Sequence, residues 1–465
     1  MRKSLVTMII LGVVVVGLLG VFAPLFRQEG NPLPFISAAA RLAANHTQIE
    51  PLSPLAGRYL IRSGDGIAPV VQLLESQGWQ YQEQMGAGII FYKDGVIMTA
   101  LSRMYSRLYM VISIPSLDQP PLEATSTSIT LTATGDILMH NTVIAAGLQN
   151  GNYDFNNLFA PVKHWIEAGD YASVNLECAL AGSAAGYTGY PLFNSPDSIA
   201  DTLKNTGFDL VVTANNHILD RGFTGAMRTM DVLRQAGLDT AGTYKTPEEK
   251  QQFLIKDIRG VKVGYVAYSY STNGIPVPQD KPFFYNFLDR ERIIADIHAL
   301  RPQVDVLVLV LHWGVEYSPL PTAEQRALAR EFFSEGADVI LGSHPHVIQP
   351  LEIMQIDDKQ KFVIYSMGNS MGNQNGVERN SGVILSLQFT KDRLSGATSL
   401  SGFSYIPTYI QPYYANGRRL FRVIPIEETI QAIKAGEDPY LDADSIPMLE
   451  QIWAATDQQL TRPLP

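Results

Sequence analysis

The stretch Ala337-Asp338-Val339-Ile340-Leu341-Gly342-Ser343-His344-Pro345-His346 decides the fold. Its first half is a short apolar run of the kind that forms a buried strand. A glycine ends it, and two histidines flanking a proline follow. A strand end is rigid and proline narrows the backbone choices, so the two imidazoles can be held on one point, as a metal site requires.

The same arrangement recurs along the chain. Apolar strands are expected over 129–134, 172–176, 210–213 and 304–311, and each runs into polar residues. These are Gly135-Asp136, Asn175-Leu176-Glu177, Asn215-Asn216-His217 and His312-Trp313-Gly314. Between the strands lie helical patterns near 162–167 and over 225–235, 290–300 and 322–335, with a further strand over 261–268. Strands alternating with helices imply an α/β fold with mostly parallel neighbours and functional loops at the strand C-termini. Beyond a strand at 362–366 the pattern changes to long strands, 381–389 and 400–410, which read as antiparallel. Two packed sheets are therefore expected.

The N-terminal third has a different character. Met1-Arg2-Lys3 precedes a run of 22 largely apolar residues, Leu5 to Phe26. At helical rise that run spans about 30 Å, the thickness of a bilayer core. Positive charge before it, balanced charge after it and the lack of a small-x-small cleavage site predict a single-pass signal anchor over 1–27, with the bulk of the chain outside the cell membrane. Residues 28–56, rich in Pro, Ala, Asn and Ser, read as a stalk. Residues 57–114 read as a small α+β module: a helix over 68–77, then strands over 79–84, 88–92, 96–101 and 108–114. Lys93-Asp94-Gly95 is the hairpin between two of these strands. A linker is expected over 115–128, the main domain over 129–425 and a helical tail over 426–465.

Composition narrows the chemistry. Of 465 residues 46% are hydrophobic and 17% charged, and the net charge is −10. Such a surface excludes nucleic acid as a partner, because phosphates need a basic face. Cys178 is the only cysteine, so no intrachain disulfide forms. Next to the Glu177 carboxylate it reads as a small buried residue and not a nucleophile. No Gly-x-Ser-x-Gly stands at a strand end, which disfavours a serine hydrolase. Four of the eight histidines, His217, His312, His344 and His346, lie at the strand ends. With Asp136, Glu177 and Asn216 they make a mixed nitrogen and oxygen donor set without thiolate, suited to Zn, Mn or Fe. Asp220-Arg221-Gly222 forms a shaped turn just past His217.

As an ordered set these motifs resemble the CapA family, the poly-γ-glutamate capsule biosynthesis proteins with a calcineurin-like metallophosphatase fold. The matching stretches are Gly135-Asp136-Ile137-Leu138-Met139-His140, Asn175-Leu176-Glu177, Ala214-Asn215-Asn216-His217-Ile218-Leu219-Asp220-Arg221-Gly222 and His312-Trp313-Gly314-Val315-Glu316-Tyr317. Gly342 to Pro350 and Tyr365-Ser366-Met367-Gly368-Asn369 complete the series, which covers roughly 129–410. The resemblance implies a layered αββα sandwich holding one or two divalent ions on Asp136, Glu177, Asn216, His312, His344 and His346. His217 would be the general acid or transition-state contact, with Asp220 and Arg221 beside it. The chain departs from the phosphatase pattern at two places: Asp136 is followed by Ile137-Leu138 instead of x-His, and position 343 is Ser.

Two function classes follow from the resemblance. One is a metal-dependent hydrolase acting on an amide or phosphoester of an anionic polymer such as poly-γ-glutamate or a cell-wall peptide. The other is a non-catalytic subunit that binds or exports the polymer with membrane synthase partners. A phosphatase for small phosphates is disfavoured, because Arg221 alone would have to cradle the phosphate.

Overall fold

The computed structural model describes residues 33–44, 47–53, 57–85, 87–93, 96–104, 108–114, 126–393 and 395–464. They fall into two compact units divided between Ala124 and Thr125. The apolar run 5–26 and residues 115–125 of the expected linker lie outside the described residues. Among the described residues no helix is long and apolar enough to cross a membrane.

The first unit comprises α1 (Leu33–Ala44), β1 (Ile49–Ser53), β2 (Arg58–Arg62), α2 (Ala68–Glu75), β3 (Gln80–Met85), β4 (Gly88–Lys93), β5 (Val96–Met104) and β6 (Tyr109–Ser113). The strands form one antiparallel sheet in the order β1-β2-β6-β5-β4-β3. Lys93 pairs with Val96 across β4 and β5, and the Asp94-Gly95 part of the expected hairpin lies outside the described residues. Helix α1 and strand β1 correct the expectation of a stalk over 28–56. Phe35, Ala38 and Leu42 recur at helical spacing, and this stripe is buried against Leu60 and Val111. Ile61 and Ile112, one residue along the same strands, face the opposite way, onto Val70 and Leu74 of α2. A helix therefore covers each face of the sheet.

The second unit opens with β7 (Ser126–Ile137), α3 (Asn141–Gly147), the small hairpin β8 (Leu148–Gln149) and β9 (Asn152–Tyr153), α4 (Asn156–Phe159), α5 (Lys163–Glu167) and β10 (Tyr171–Leu176). It continues with α6 (Ser198–Thr206), β11 (Leu210–Val212), α7 (Gly222–Gln235), β12 (Asp239–Ala241), α8 (Pro247–Lys250), β13 (Leu254–Ile258) and β14 (Val261–Ser269). Then come α9 (Arg290–Leu300), β15 (Val306–His312), α10 (Ala323–Ser334), β16 (Val339–Ser343), β17 (Leu351–Ile356), β18 (Lys359–Ile364) and β19 (Asn369–Met371). The unit closes with β20 (Ser381–Asp392), β21 (Thr398–Ala415), β22 (Arg418–Pro425), α11 (Ile426–Ala435) and α12 (Ile446–Leu460).

One sheet runs β12-β11-β10-β7-β20-β21-β22, with β19 also pairing β7; the other runs β13-β14-β15-β16-β18-β17. Strands β7, β10, β11 and β12 are parallel, as are β14, β15, β16 and β18. Strands β20 and β21 are antiparallel, as expected for 381–389 and 400–410, and β22, which was not expected, continues the antiparallel run. Strand alternation builds the layers. Val306, Val308 and Val310 point between the sheets, where they meet Leu131, Val212, Val339 and Leu385. Leu307, Leu309 and Leu311 point outward onto Ile293 and Ile297 of α9 and Phe332 and Phe333 of α10. The outer face of the other sheet, including Val174 and Val211, is covered by Leu158, Ile199, Leu203 and Leu233 from its own helices. Each fully buried side chain of this kind contributes about 1.5–3 kcal/mol, which is why strands read by their apolar runs lie at the centre. The result is a mixed α/β sandwich of four layers. Residues 426–464 do not trail away: Leu460 is fully buried among the residues between the sheets.

Parallel strands deliver their C-termini to one edge, and two glycines let that edge close. A Cβ on Gly342 would lie 1.9 Å from the Tyr365 carbonyl oxygen, and one on Gly135 would lie 1.9 Å from that of Gly368. We expect Gly342→Ala to destabilise the second unit by about 3 kcal/mol, because the blocking atom is backbone and cannot turn aside. Denaturant unfolding of the full chain measures this, and an unshifted midpoint would contradict the packing described.

Candidate metal centre

Five strand ends converge. Asp136, at the end of β7, and Glu177, just past β10, have no solvent exposure, and His312, His344 and His346 are each 3% exposed or less. Ligand-capable atoms of Asp136, Glu177 and His312 lie within 4.8 Å of one another, and so do those of Glu177, His344 and His346. The two sets share Glu177. Its Oε1 stands 3.5 Å from His312 Nε2 and 3.6 Å from His346 Nε2. Asp136 Oδ2 stands 3.3 Å from His346 Nδ1.

Backbone strain holds the histidines there. His344 has φ +97° and His346 φ +57°, both in the region that favours glycine. Such strain costs on the order of 1–3 kcal/mol per residue and persists where the surroundings over-determine it. Here the His344 N–H donates to Asp136 Oδ2 at 3.0 Å, and His346 Nδ1 hydrogen-bonds Asn369 Oδ1 at 3.1 Å. His312 is held at both nitrogens, by Ser343 Oγ at 2.9 Å and Asn216 Oδ1 at 2.7 Å. Ser343, one of the two departures from the phosphatase pattern, thus orients a histidine instead of supplying one.

The electrostatics fit a cation. Burial drives the Glu177 carboxyl up to about 8, and Oε1 is buried with no hydrogen-bond partner. Burial likewise lowers His312 to about 3 and His344 to about 2, and His344 Nδ1 also lacks a partner. Neutral imidazole is the ligating form, and a buried carboxyl with an orphaned oxygen is a group whose charged form a bound cation would stabilise. For His346 burial opposes the charged form, yet Glu177 and Asp136 outweigh it and raise the ring to about 9. The residues present therefore fit a divalent ion in an N/O donor set.

His217 sits at the edge of this cluster. Its Nδ1 hydrogen-bonds Asp220 Oδ2 at 2.8 Å, and its ring stands edge-on to Phe193 with centroids 4.8 Å apart. Burial, the largest single effect, disfavours the imidazolium, but the Asp220 hydrogen bond and the Glu177 and Asp220 charges together outweigh it and hold the pKa above the ordinary value. Arg221 does not join the site. Its Nη2 donates to Thr188 Oγ1 and, at 2.9 Å, to the Leu192 carbonyl, fastening the loop between them. Among the described residues no hydrogen bond joins Arg221 to the donor sets, so the catalytic part expected of it has no contact of its own here. His140 belongs to neither donor set, and its Nδ1 accepts from the Asn373 N–H at 3.2 Å. Cys178 is buried beneath the site, its thiol pushed up to about 12 by desolvation, as an inert residue should be.

Asn175 is the residue whose role sequence reasoning passed over. Its Nδ2 donates to Asp136 Oδ1 at 2.7 Å and lies 3.4 Å from both Glu177 Oε2 and His312 Nδ1. Its Oδ1 accepts from Asn215 Nδ2 at 3.0 Å. The available signal was an amide inside a strand whose six residues are all buried; a polar group there must serve other polar groups.

A family model described as "Bacterial capsule synthesis protein PGA_cap" matches residues 130–374, more than half of the chain. The chain belongs to this family. Within the PGA_cap relatives, it is 27% identical over 255 residues to the capsule biosynthesis protein CapA of Bacillus anthracis, covering 53% of this chain and 60% of that one. It is 29% identical over 245 residues to the PGA biosynthesis protein CapA of Bacillus subtilis, covering 52% and 62%. The chain thus spans less than two thirds of those relatives' lengths. A probable polyglutamine synthesis accessory protein of Mycobacterium tuberculosis is 27% identical over 177 residues, covering 35% and 45%. Similar solved structures include a 5'-nucleotidase precursor from Thermus thermophilus, with TM-score 0.40, 16% identity and coverage of 71% of this chain and 59% of that one. Another is the calcineurin-like phosphoesterase YfkN of Bacillus subtilis, with TM-score 0.36, 14% identity and coverage of 71% and 98%. At those scores the likenesses carry no argument about activity.

Asn175→Leu should leave buried partners unsatisfied and loosen the ligands. We expect a stability loss of about 2 kcal/mol and a metal affinity weaker by about 10–100-fold. Competition with a fluorescent zinc chelator measures the second effect; an unchanged affinity would contradict the role given to Asn175.

Proposed function

We propose that this PGA_cap protein is anchored in the cell membrane by residues 1–27, with its bulk extracytoplasmic, and that its second unit is a metal-dependent hydrolase of capsule or envelope polymer synthesis. The substrate in this reading is an amide or phosphoester of an anionic polymer, such as poly-γ-glutamate or a cell-wall peptide, and the partners are membrane synthase or export subunits. The names of the Bacillus relatives support the polymer, and the apolar run Leu5 to Phe26 supports the anchor.

The observation that carries the hydrolase reading is the buried Glu177, its Oε1 unpartnered between two donor sets. Asp136, Glu177, His312, His344 and His346 would hold the cation, Mn, Zn or Fe, as one ion or two, with Asn216 beside His312. Such a cation acidifies bound water and stabilises negative charge on the reacting group. The chain's own residues do the rest. Asp220 fixes the His217 ring through Nδ1, so a proton carried on Nε2 can pass to a leaving amine or alkoxide. Tyr270, whose ring centroid lies 4.4 Å from that of His344, and Tyr190, 6.4 Å from that of His217, wall the approach. The name of the mycobacterial relative, an accessory protein, favours a second reading: a polymer-binding or export subunit without turnover.

Full chain in detergent, loaded with Mn, Zn or Fe, should cleave poly-γ-glutamate, a cell-wall peptide or a phosphoester polymer. His217→Gln should lower kcat by about 10²–10⁴-fold while keeping the metal. Metal-loaded protein that binds polymer and leaves all three intact would contradict the hydrolase and establish the binding subunit.

A further inference from the structure

With Arg221 fastened to the Thr188–Leu192 loop, a second cation, Arg379, stands one aromatic ring away from His346. Arg379 lies in a single short turn, Glu378–Asn380, ahead of β20. Its guanidinium carbon sits 3.8 Å over the Tyr317 ring centroid. Tyr317 is tied to the histidine turn in turn: its N–H donates to the Pro345 carbonyl at 2.8 Å, and its ring centroid is 6.2 Å from that of His346. Guanidinium, phenol and imidazole therefore follow one another from Arg379 to the metal-capable residues, the phenol tilted by 39° to the imidazole.

Among the described residues no carboxylate holds Arg379, whereas many of the chain's arginines are held by one. Arg228, Arg234, Arg290, Arg301 and Arg422 are each paired with a carboxylate of Asp197, Glu249, Glu331, Asp338 and Asp438 respectively. Among the described residues Arg379 has no such pair, and its Nε is buried without a hydrogen-bond partner. Neither Glu316, next to Tyr317, nor Glu378, next to Arg379, forms an ion pair with it. A guanidinium held by its face on an aromatic ring does not spend its N–H groups on that contact, and with Nε buried the two terminal Nη groups are the edge that can meet an oxyanion in a two-pronged fashion. On a chain of net charge −10, an arginine without a carboxylate partner is a local attraction for anions in an otherwise repelling field.

We infer that Arg379, held by Tyr317, is the substrate-anion-binding residue of this centre, gripping a carboxylate or phosphate group carried by the substrate next to the bond presented to the metal site. The inference rests on the proposed hydrolase site for its location. Its ligand chemistry is an oxyanion, from either an acidic peptide-like polymer or a phosphate-bearing one. Tyr317 acts as a positioning residue, since it touches the substrate only through Arg379 in this arrangement.

The test is equilibrium binding to the metal-loaded full chain, with three probes: an oligomer of γ-linked glutamate, the same oligomer with its free carboxylates amidated, and inorganic phosphate. Arg379→Gln should weaken the charged oligomer by about tenfold or more and leave the amidated one unchanged, while Arg379→Lys recovers part of the loss. Arg290→Gln, which removes an arginine on α9 paired with Glu331, serves as the control and should bind like wild type. Phosphate binding that depends on Arg379, with no binding of the γ-glutamate oligomer, would keep the anion site and assign it to a phosphate-bearing substrate. Equal binding of the charged probes by wild type and Arg379→Gln would overturn the inference, and so would no binding of either. Metal content and circular dichroism of each variant separate loss of the anion site from loss of fold. Because binding is read without turnover, Arg379-dependent binding alongside absent hydrolysis would contradict the hydrolase and not this residue's role.

Discussion

A fully buried carboxylate with an unanswered oxygen is the constraint on which the second unit depends. Glu177 lies at the end of the all-buried strand β10, facing His312 and His346 from the other sheet. Left alone, a charge in that position costs several kcal/mol, and removing it from water is repaid only by opposite charge and hydrogen bonds. The sandwich supplies these from both sheets at once. Asp136 and Glu177 arrive on the first sheet, and His312, His344 and His346 arrive on the second. The site is thus also the place where the two sheets meet at their C-terminal edge, so its chemistry and the closure of the fold are one problem.

Closure has its own cost, and the sequence shows where it falls. Gly135 and Gly342 allow backbone to run against backbone where a methyl group could not fit. His344 and His346 carry positive φ, which no packing reason would select in a histidine. Strain concentrated on two metal-capable side chains, secured by Asp136 and Asn369, is what a preorganised centre requires. A loop free to relax would leave the imidazoles pointing into solvent.

Much of this was legible in the chain. Runs such as Val306 to Leu311 read as strands because both faces are buried, and polar residues at their ends had no packing role to compete with a chemical one. Sequence does not show which neighbours along the chain share their contacts in space. Arg221 stands next to the His217–Asp220 pair, but the turn into α7 directs it to the Thr188–Leu192 loop. Arg379 carries no motif at all; its place is set by a ring sixty-odd positions earlier, Tyr317, through a contact that no local pattern encodes. Composition misled over 28–56, where Pro, Ala and Asn masked the stripe of Phe35, Ala38 and Leu42 that makes α1 a packed helix. Asn175 was passed over because its value lies in hydrogen bonds to three different strand ends.

The central claim is that these strand ends form a metal centre in which Glu177 is shared. Elemental analysis of the purified full chain beside Glu177→Gln and a His344→Ala/His346→Ala double variant tests it most directly. The account predicts one or two equivalents of Mn, Zn or Fe in the wild type and sharp loss in both variants, with the fold retained by circular dichroism. Wild-type protein that holds no metal after reconstitution, or variants that hold as much as wild type, would contradict it.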